Sequence, residues 1–285
     1  MNTKRFPYDQ FSPSDISDLL PAMKIGVLGT VTPEGLPHMT LITTLMASGP
    51  KEVVWGQFME GNSKEYIRTN PKTGFLIMGL DKSFWIGQAE YTRSAHEGKD
   101  YDFYNNTPLF RYNSYFGVHT VHYMDLKGQS GKHPLPMNQV TIAAIKTLIG
   151  RTLAFGKSKK AVMNRWTQDF ISKLDNLKFL AYIDASGYPV LLPVIQAQAL
   201  DSEHVAYSLS AFTNELVAIP PFTPVAVFSM ALTMQDVLVR GTYQGTRRLG
   251  GVKCGIVQVD WVYNSMPPKP QQIYPEVSIQ TITEF

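Results

Sequence analysis

The stretch that decides the fold runs from Glu52 to Lys72 and reads EVVWGQFMEGNSKEYIRTNPK. It begins with the strand-forming residues Val53–Trp55 and continues with a Gly-Asn-Ser turn at 61–63. It closes on Asn70-Pro71, where a helix must stop because the residue before a proline disfavours helical backbone. The pattern predicts a strand, a polar turn and a short helix over 63–69.

One lysine, Lys64, lies at the start of this predicted helix. The first N–H groups of a helix have no partners inside it, and the helix dipole is positive there. With the Ser63 hydroxyl as a donor and Lys64 as a cation, the turn suits a phosphate group. The alternative is an ordinary solvated lysine on a surface helix, which the residue types alone favour.

Together with a segment further upstream, this stretch resembles the FMN-binding split barrel of the pyridoxamine 5′-phosphate oxidase-like superfamily. In that family a strand, an S-x-K or similar turn and a short helix ending in N-P hold the flavin phosphate. The resemblance is carried by Gly35-Leu36-Pro37-His38-Met39-Thr40, Trp55-Gly56-Gln57, Asn62-Ser63-Lys64 and Asn70-Pro71. The spacing from Lys64 to Asn70-Pro71 is shorter than the family pattern by a single residue, so either Lys64 or Ser63 takes the place of the phosphate lysine.

The resemblance implies FMN as the cofactor, with FAD, the deazaflavin F420 and haem as alternatives. It implies that the phosphate is held by Asn62, Ser63 and Lys64. The backbone of His38, Met39, Thr40 and Leu41 would lie along the isoalloxazine, and Trp55, Gly56 and Gln57 would approach the ring or the ribityl chain. Haem would need an axial ligand, for which the candidates are His96, His119 and His122.

The resemblance further implies a flavin-dependent oxidoreductase that transfers electrons or a hydride to a small-molecule substrate. The flavin supplies the redox chemistry and the protein positions it. The sequence identifies neither the substrate nor a general acid or base. A non-catalytic flavin or haem carrier or sensor on the same fold, and an F420-dependent reductase, are the alternative functions.

Composition limits the class of protein. The 285 residues fit two ordinary domains, and 44% hydrophobic with 17% charged residues is a globular composition. A net charge of +3 without a long basic run argues against a nucleic-acid partner. The single cysteine, Cys254, fits a reducing compartment. Because the N-terminus lacks a signal-peptide core and no run approaches the ~18 apolar residues of a membrane span, we expect a cytoplasmic protein with no membrane partner.

Periodicity and turn residues predict an α+β fold of two split β-barrels in tandem, with an N-terminal barrel at 1–135, a helical connector at 136–176 and a degenerate C-terminal barrel at 177–285. The predicted N-terminal elements are a helix at Ser14–Leu20 and strands at Lys24–Val31, Leu36–Met46, 52–58, Gly74–Leu80, Phe84–Thr92 and Gly117–Asp125. In the connector, helices are predicted at Thr141–Ile149 and Ser158–Leu174. C-terminal strands are predicted at Lys178–Ile183, Tyr188–Ala197, 204–209, 225–230, 236–244 and 254–263.

Residues 93–115 break the strand pattern with polar and aromatic residues. This segment is either a surface insertion or a lid that stacks on a flat ligand, because long ordered loops are often functional. The side chains that favour a lid are those of Arg111, Tyr112, Asn113 and Tyr115.

The second half repeats the first. Gly35-Leu36-Pro37 matches Gly187-Tyr188-Pro189, an offset of 187 − 35 = 152. At that offset, Trp55 corresponds to Tyr207, Gly56 to Ser208, Asn62 to Asn214 and Lys64 to Leu216. The repeat therefore predicts a second barrel that has lost the phosphate lysine. Because members of the family dimerise around the flavin, the resemblance implies a pseudo-dimer within one chain that holds one flavin, with further homodimerisation left open.

Two other motifs are set aside. Gly156-Lys157-Ser158 is not a P-loop, because the glycine that the motif requires earlier is replaced by Arg151. His119 and His122 would point to opposite faces of a strand and so would not form a metal pair.

Overall fold

The computed structural model describes residues 5–20, 24–57, 61–108, 117–153, 160–265 and 270–278, leaving aside the side chains of residues 152 and 153. The chain divides into two compact units. The first comprises Met1–Pro136 and Ala181–Leu192, and the second comprises Met137–Leu180 and Pro193–Phe285.

The first unit contains an antiparallel sheet and short helices. Its helices are α1 (Pro13–Leu19), α2 (Ser63–Thr69) and α3 (Lys99–Asn106). Its strands are β1 (Lys24–Val31), β2 (Pro37–Leu41), β3 (Met46–Gly49), β4 (Glu52–Gln57), β5 (Lys72–Gly79), β6 (Ser83–Ala95), β7 (Thr120–Gln129) and β8 (His133–Pro134). The helix predicted over 63–69 is confirmed residue for residue.

The strand order in this sheet is β2-β1-β5-β6-β7-β4-β3, with β8 paired to β6. One face of the sheet encloses a hydrophobic core, whose larger members include Phe75 and Trp85. Helix α1 also contributes to it through Leu19. A capping box starts this helix, with the Ser12 side chain accepting from the Asp15 N–H and the Asp15 carboxylate accepting from the Ser12 N–H.

The strand predicted at Leu36–Met46 is wrong as a single element, because residues 42–45 form a turn that separates β2 from β3. At this turn the Ile42 N–H donates to the Gly26 carbonyl at 2.7 Å. The backbones approach so closely that a Cβ at position 26 would lie 2.2 Å from the Ile42 carbonyl oxygen. Glycine at position 26 therefore permits the bend.

The second half contains a sheet of the same design. Its helices are α4 (Met137–Leu153), α5 (Arg165–Ser172) and α6 (Thr213–Val217). Its strands are β9 (Leu177–Ile183), β10 (Pro189–Pro193), β11 (Gln198–Ala199), β12 (His204–Ser208), β13 (Pro224–Met230), β14 (Asp236–Leu249), β15 (Val252–Asn264) and β16 (Gln271–Tyr274). The order β10-β9-β13-β14-β15-β12-β11 repeats that of the first sheet strand for strand. The predicted tandem duplication of an α+β split barrel is confirmed.

The 93–115 segment is more regular than predicted. Strand β6 continues to Ala95, and α3 follows at Lys99–Asn106. The buried Tyr104 anchors α3, with its hydroxyl donating to the Thr44 carbonyl at 2.7 Å. Strand β7 begins at Thr120, later than the predicted Gly117–Asp125 strand. The candidate lid residues Arg111, Tyr112, Asn113 and Tyr115 lie outside the described residues.

The predicted connector belongs to the second unit by its packing, because α4 lies against β11, β12, β14 and β15. The predicted Ser158–Leu174 helix is wrong in its first turns. Residues 160–164 are not helical, and α5 starts only after Asn164, whose side chain accepts from the Thr167 N–H at 2.8 Å. Apolar spacing alone predicts a longer helix, but the cap at Asn164 sets where the helix actually starts. Residues 154–159 lie outside the described part of the chain.

Candidate functional site

Helix α2 packs against β1 and β2 in the first unit. Its Ile67 side chain is buried in the core cluster, which fixes the face that the helix turns inward. On β2, the buried His38 ring meets the Tyr66 ring edge-on, with 5.2 Å between centroids. His38 and Met39 are both buried, whereas Thr40 and Leu41 are partly exposed. Of these four residues, the last two are therefore the ones that a ligand can reach with least rearrangement.

A pair of hydroxyls joins β2 to the start of α2. Thr40 Oγ1 and Ser63 Oγ lie 2.6 Å apart, and Ser63 is only 3% exposed. Two hydroxyl groups carry two hydrogens, and one of them is used in the bond between them. The pair can therefore donate its second hydrogen to another acceptor. The sequence motif names both residues, and the fold brings them into contact across 23 positions of the chain.

Lys64 follows Ser63 and is partly exposed. Within the described chain, the Asn62 side chain makes no capping hydrogen bond at this helix start. The structure therefore places Ser63 inward and leaves Lys64 nearer to solvent. Hydroxyl, ammonium and backbone N–H groups from β2 and α2 make a set of donors, and such a set suits an anion.

Strand β2 is at the end of the hydrogen-bonded path, and among the described strands it pairs only with β1. On an edge strand, alternate N–H and C=O groups point away from the neighbouring strand. The predicted role of the backbone at 38–41 is compatible with this position, since such groups can meet the polar edge of a planar ligand.

Three further residues meet between strands β4 and β7. His122 on β7 is directly opposite Trp55 on β4, and their rings stack with centroids 4.0 Å apart and planes 17° apart. The His122 Nε2 lies 2.9 Å from Gln57 Oε1. Because a carbonyl oxygen only accepts, this nitrogen carries the hydrogen, and the Gln57 NH₂ group is left to donate elsewhere.

His122 is fully buried, and its Nδ1 has no hydrogen-bond partner among the described residues. Burial is the main cause and the positive charges of Arg68 and Lys64 contribute, and together they lower the pKa of His122 to about 4. The imidazole is therefore neutral at physiological pH. The influence of these two α2 side chains shows that the cations of α2 and the Gln57–His122 pair share one electrostatic environment.

Trp55 and Gly56 are less accessible than the resemblance implies. Trp55 is 4% exposed and belongs to the core cluster. A Cβ at Gly56 would lie 2.7 Å from a methyl of Val118 and 3.2 Å from the Tyr104 ring. The Gly56 N–H donates to Thr44 Oγ1 at 3.1 Å, and that hydroxyl donates to the Gly56 carbonyl at 2.8 Å. Gly56 thus makes room for neighbouring protein groups.

The sequence alone offers His122 only as a metal or haem candidate and does not indicate its place in this cluster. No local pattern could have done so, because the link to Gln57 spans 65 positions and depends on the register between β4 and β7. Its burial also makes His122 unsuitable as an axial haem ligand without rearrangement. His96 and His119 lie together instead, with ring centroids 5.2 Å apart.

The corresponding helix of the second unit differs. Helix α6 starts at Thr213, so that counting from the helix starts places Asn214 in the position of Lys64. Leu216, which the offset of 152 pairs with Lys64, is buried in α6, whereas Lys64 is partly exposed in α2. The sequence of α6, TNELV, carries no cation and includes Glu215. No position of α6 therefore carries a lysine, which agrees with the repeat in the sequence.

Within the described residues, no group of three or more metal-ligating side chains comes together. None of the helices described is both long enough and apolar enough to cross a bilayer.

No family model matches this sequence, and no curated protein matches it. Several solved structures are similar to part of the chain. An FMN-binding protein from Syntrophomonas wolfei matches at 15% identity over 36% of this chain and 74% of its own, with a TM-score of 0.32. An F420 reductase matches at 15% identity over 42% of this chain and 98% of its own, with a TM-score of 0.34.

The flavin reductase of a styrene monooxygenase from Pseudomonas putida S12 matches at 13% identity over 44% of this chain and 90% of its own, with a TM-score of 0.27. Each of these solved chains therefore corresponds to less than half of the present one.

Proposed function

We propose that the first unit binds FMN and that the chain is a flavin-dependent oxidoreductase acting on a small molecule. The observation that carries this proposal is the Thr40–Ser63 hydroxyl pair beside Lys64. It joins two separate parts of the sequence motif, the β2 segment and the α2 turn, at one place in the fold.

The phosphate would be held by Lys64, by the remaining hydroxyl hydrogen of the Thr40–Ser63 pair and by Asn62. Every one of these groups can donate, and charge-assisted hydrogen bonds to phosphate are the strong ones. Arg68 adds a second positive charge on the same helix. This donor set fits a dianionic phosphate better than it fits an uncharged ribityl end.

The flavin ring carries carbonyl and ring-nitrogen acceptors, and when bound it supplies the hydride or electron chemistry. The chain offers two kinds of donor to such a ring. Backbone groups of Thr40 and Leu41 lie on an edge strand, and the Gln57 NH₂ group is oriented by its bond to His122. Donors placed near a flavin tune its reduction potential without themselves reacting.

We propose one flavin for each chain. Helix α6 has Asn214 and Glu215 where α2 has Lys64 and Glu65, so the second unit lacks the cation of the first. Removing a charged partner from an anion site weakens binding strongly. A protein that binds two equivalents of FMN with equal affinity would contradict this part of the proposal.

Lys64→Ala is expected to weaken FMN binding by about 1–3 kcal/mol, or roughly five- to 150-fold in Kd, through loss of a charge-assisted phosphate contact. Riboflavin lacks the phosphate, so its Kd should be the same for the variant and the parent. Titration with each flavin, followed by fluorescence quenching, measures both constants.

The matched control is Lys51→Ala, which removes an exposed lysine that pairs with Asp9 at 3.2 Å. This variant should bind FMN as the parent does. If Lys64→Ala and the parent bound FMN with equal affinity, the phosphate would not bind at the start of α2. Equal affinity of the parent for FMN and riboflavin would contradict a phosphate site altogether.

The identity of the cofactor can be tested on the protein as purified. We expect flavin absorption bands, and mass spectrometry of the compound released by heating should give FMN. If FAD or F420 were released instead, the proposal of a redox enzyme would stand, but its cofactor would not be FMN. A Soret band, or a colourless protein that does not bind added FMN, would overturn the proposal.

A further inference from the structure

A cavity of about 300 Å³ lies in the first unit, bounded by α1, the start of β1 and the turn between β5 and β6. Its lining includes two lysines, two aspartates and a tryptophan: Lys24, Lys132, Asp18, Asp81 and Trp85. None of the residues proposed to hold FMN takes part in it. A concave site of this volume is at the lower end of the range for small-molecule pockets.

Lys24 is the unusual member of this set. It is the first residue of β1, where it pairs with Gly79 of β5, and it is only 7% exposed. Burial lowers the pKa of Lys24 to about 8. At pH 7.5 an appreciable fraction of this amine is then neutral, whereas an ordinary lysine is almost wholly protonated. A neutral, desolvated lysine amine is a nucleophile.

The other lining residues form an ordered frame. The Lys132 ammonium lies 2.8 Å from an Asp18 oxygen and 3.5 Å from an Asp81 oxygen. It also lies 5.4 Å from the centre of the Trp85 ring, and the Trp85 indole N–H donates to Asp15 at 2.9 Å. Lys132 thus balances the two carboxylates, while the Trp85 ring supplies an apolar wall.

This arrangement combines what the condensation of an amine with an aldehyde needs. The nucleophile is the neutral fraction of the Lys24 amine, the Trp85 wall accommodates an apolar or aromatic group, and solvent water can carry the protons while water is lost. Exposed lysines such as Lys51 have a nearby carboxylate but neither the burial nor the cavity.

We propose that this cavity is a second ligand site, in which the Lys24 amine condenses with a small aldehyde. The amine nitrogen attacks the carbonyl carbon and a C–N bond forms. The carbinolamine then loses water as the C–O bond breaks, which leaves an imine on Lys24. No oxidation or reduction takes place, and the step is reversible.

The test uses the full-length protein at pH 7.5, benzaldehyde as the probe and cyanoborohydride to reduce the imine to a stable benzylamine. Peptide mapping by mass spectrometry then gives the labelling rate of each lysine. We expect Lys24 to be labelled at least about tenfold faster than Lys51, because of its larger neutral fraction. The rate at Lys24 should also saturate with benzaldehyde concentration, since binding in the cavity precedes condensation.

Lys24→Arg should abolish the fast label while retaining the charge, and Lys51→Arg should leave it unchanged. Labelling of Lys24 no faster than Lys51 in the parent protein would overturn the proposal. A rate at Lys24 that rises linearly without saturation would overturn the binding site. Both outcomes are read from the parent protein and do not depend on the folding of any variant.

Discussion

The first unit should lose stability as the pH falls from about 6.5 to about 4, by at most about 3 kcal/mol from His122 alone. The buried imidazole has a pKa of about 4 in the folded protein and an ordinary value of 6.5 when unfolded. Between these values the unfolded state binds the proton more tightly, so protonation favours unfolding. The loss begins below pH 6.5 and is complete near pH 4.

Hydrogen–deuterium exchange followed by mass spectrometry can measure this effect in each unit separately. Peptides from β4 and β7 should lose protection over that pH range. In the equivalent register of the second sheet, Tyr207 is opposite Gly255, so no imidazole occupies the place of His122 there. Burial raises the pKa of Asp236 in the second unit, so its contribution to the stability of that unit becomes more favourable as the pH falls.

The control is His122→Phe, which keeps an aromatic ring beside Trp55 and removes the titrating group. The variant and the parent are compared by how their protection changes with pH, and not by their absolute stability. The slope of first-unit protection between pH 6.5 and pH 4 should flatten relative to the parent. Parent and variant curves that run parallel over this range would show that His122 does not cause the acid sensitivity.

Gly26→Val is expected to destabilise the first unit by about 3 kcal/mol or more, because overpacking against backbone cannot be relieved by a rotamer change. The new Cβ would lie 2.2 Å from the Ile42 carbonyl oxygen and 2.8 Å from the Leu45 Cβ. The bend between β2 and β3 would have to open, which would also move Thr40. Urea unfolding measures the loss.

Gly49→Val is the matched control in the same unit, since a Cβ at Gly49 meets no atom within 4 Å. It should change the unfolding free energy much less. If an osmolyte restores folding of Gly26→Val, the refolded variant should still bind FMN more weakly than the parent. A Gly26→Val protein as stable as the Gly49→Val protein would show that the close approach of residues 26 and 42 is not required.

The fold was predictable where local chemistry is strong. Asn70-Pro71 ends α2 and the polar turn starts it, so both ends of this helix were correct. The break between β2 and β3 was missed because residues 42–45, Ile-Thr-Thr-Leu, carry no glycine or proline. The glycine that allows the bend is Gly26, which lies on another strand. Long-range causes of this kind leave no mark in the local sequence.

The sequence alone identifies the candidate site residues, but it does not show which of them contact each other. Thr40 and Ser63 were both named, but only the fold shows that they bond to each other. Spacing alone does not distinguish Ser63 from Lys64, whereas burial makes Ser63 an inward hydroxyl and Lys64 an outer cation. His122 was missed as a partner of Gln57 because sheet register, set by β4 and β7, joins them. The offset of 152 holds for the starts of β4 and β12, whereas the starts of α2 and α6 differ by 150.

The repeated strand order has an evolutionary consequence. In a symmetric homodimer each substitution occurs in both subunits, so a change that damages one site damages the other. A chain that encodes both copies is free of that constraint, and each copy can diverge under its own selection. The contrast between Lys64 in α2 and Asn214 in α6 is such a divergence. A substitution in one half of this protein therefore leaves the matching position of the other half unchanged.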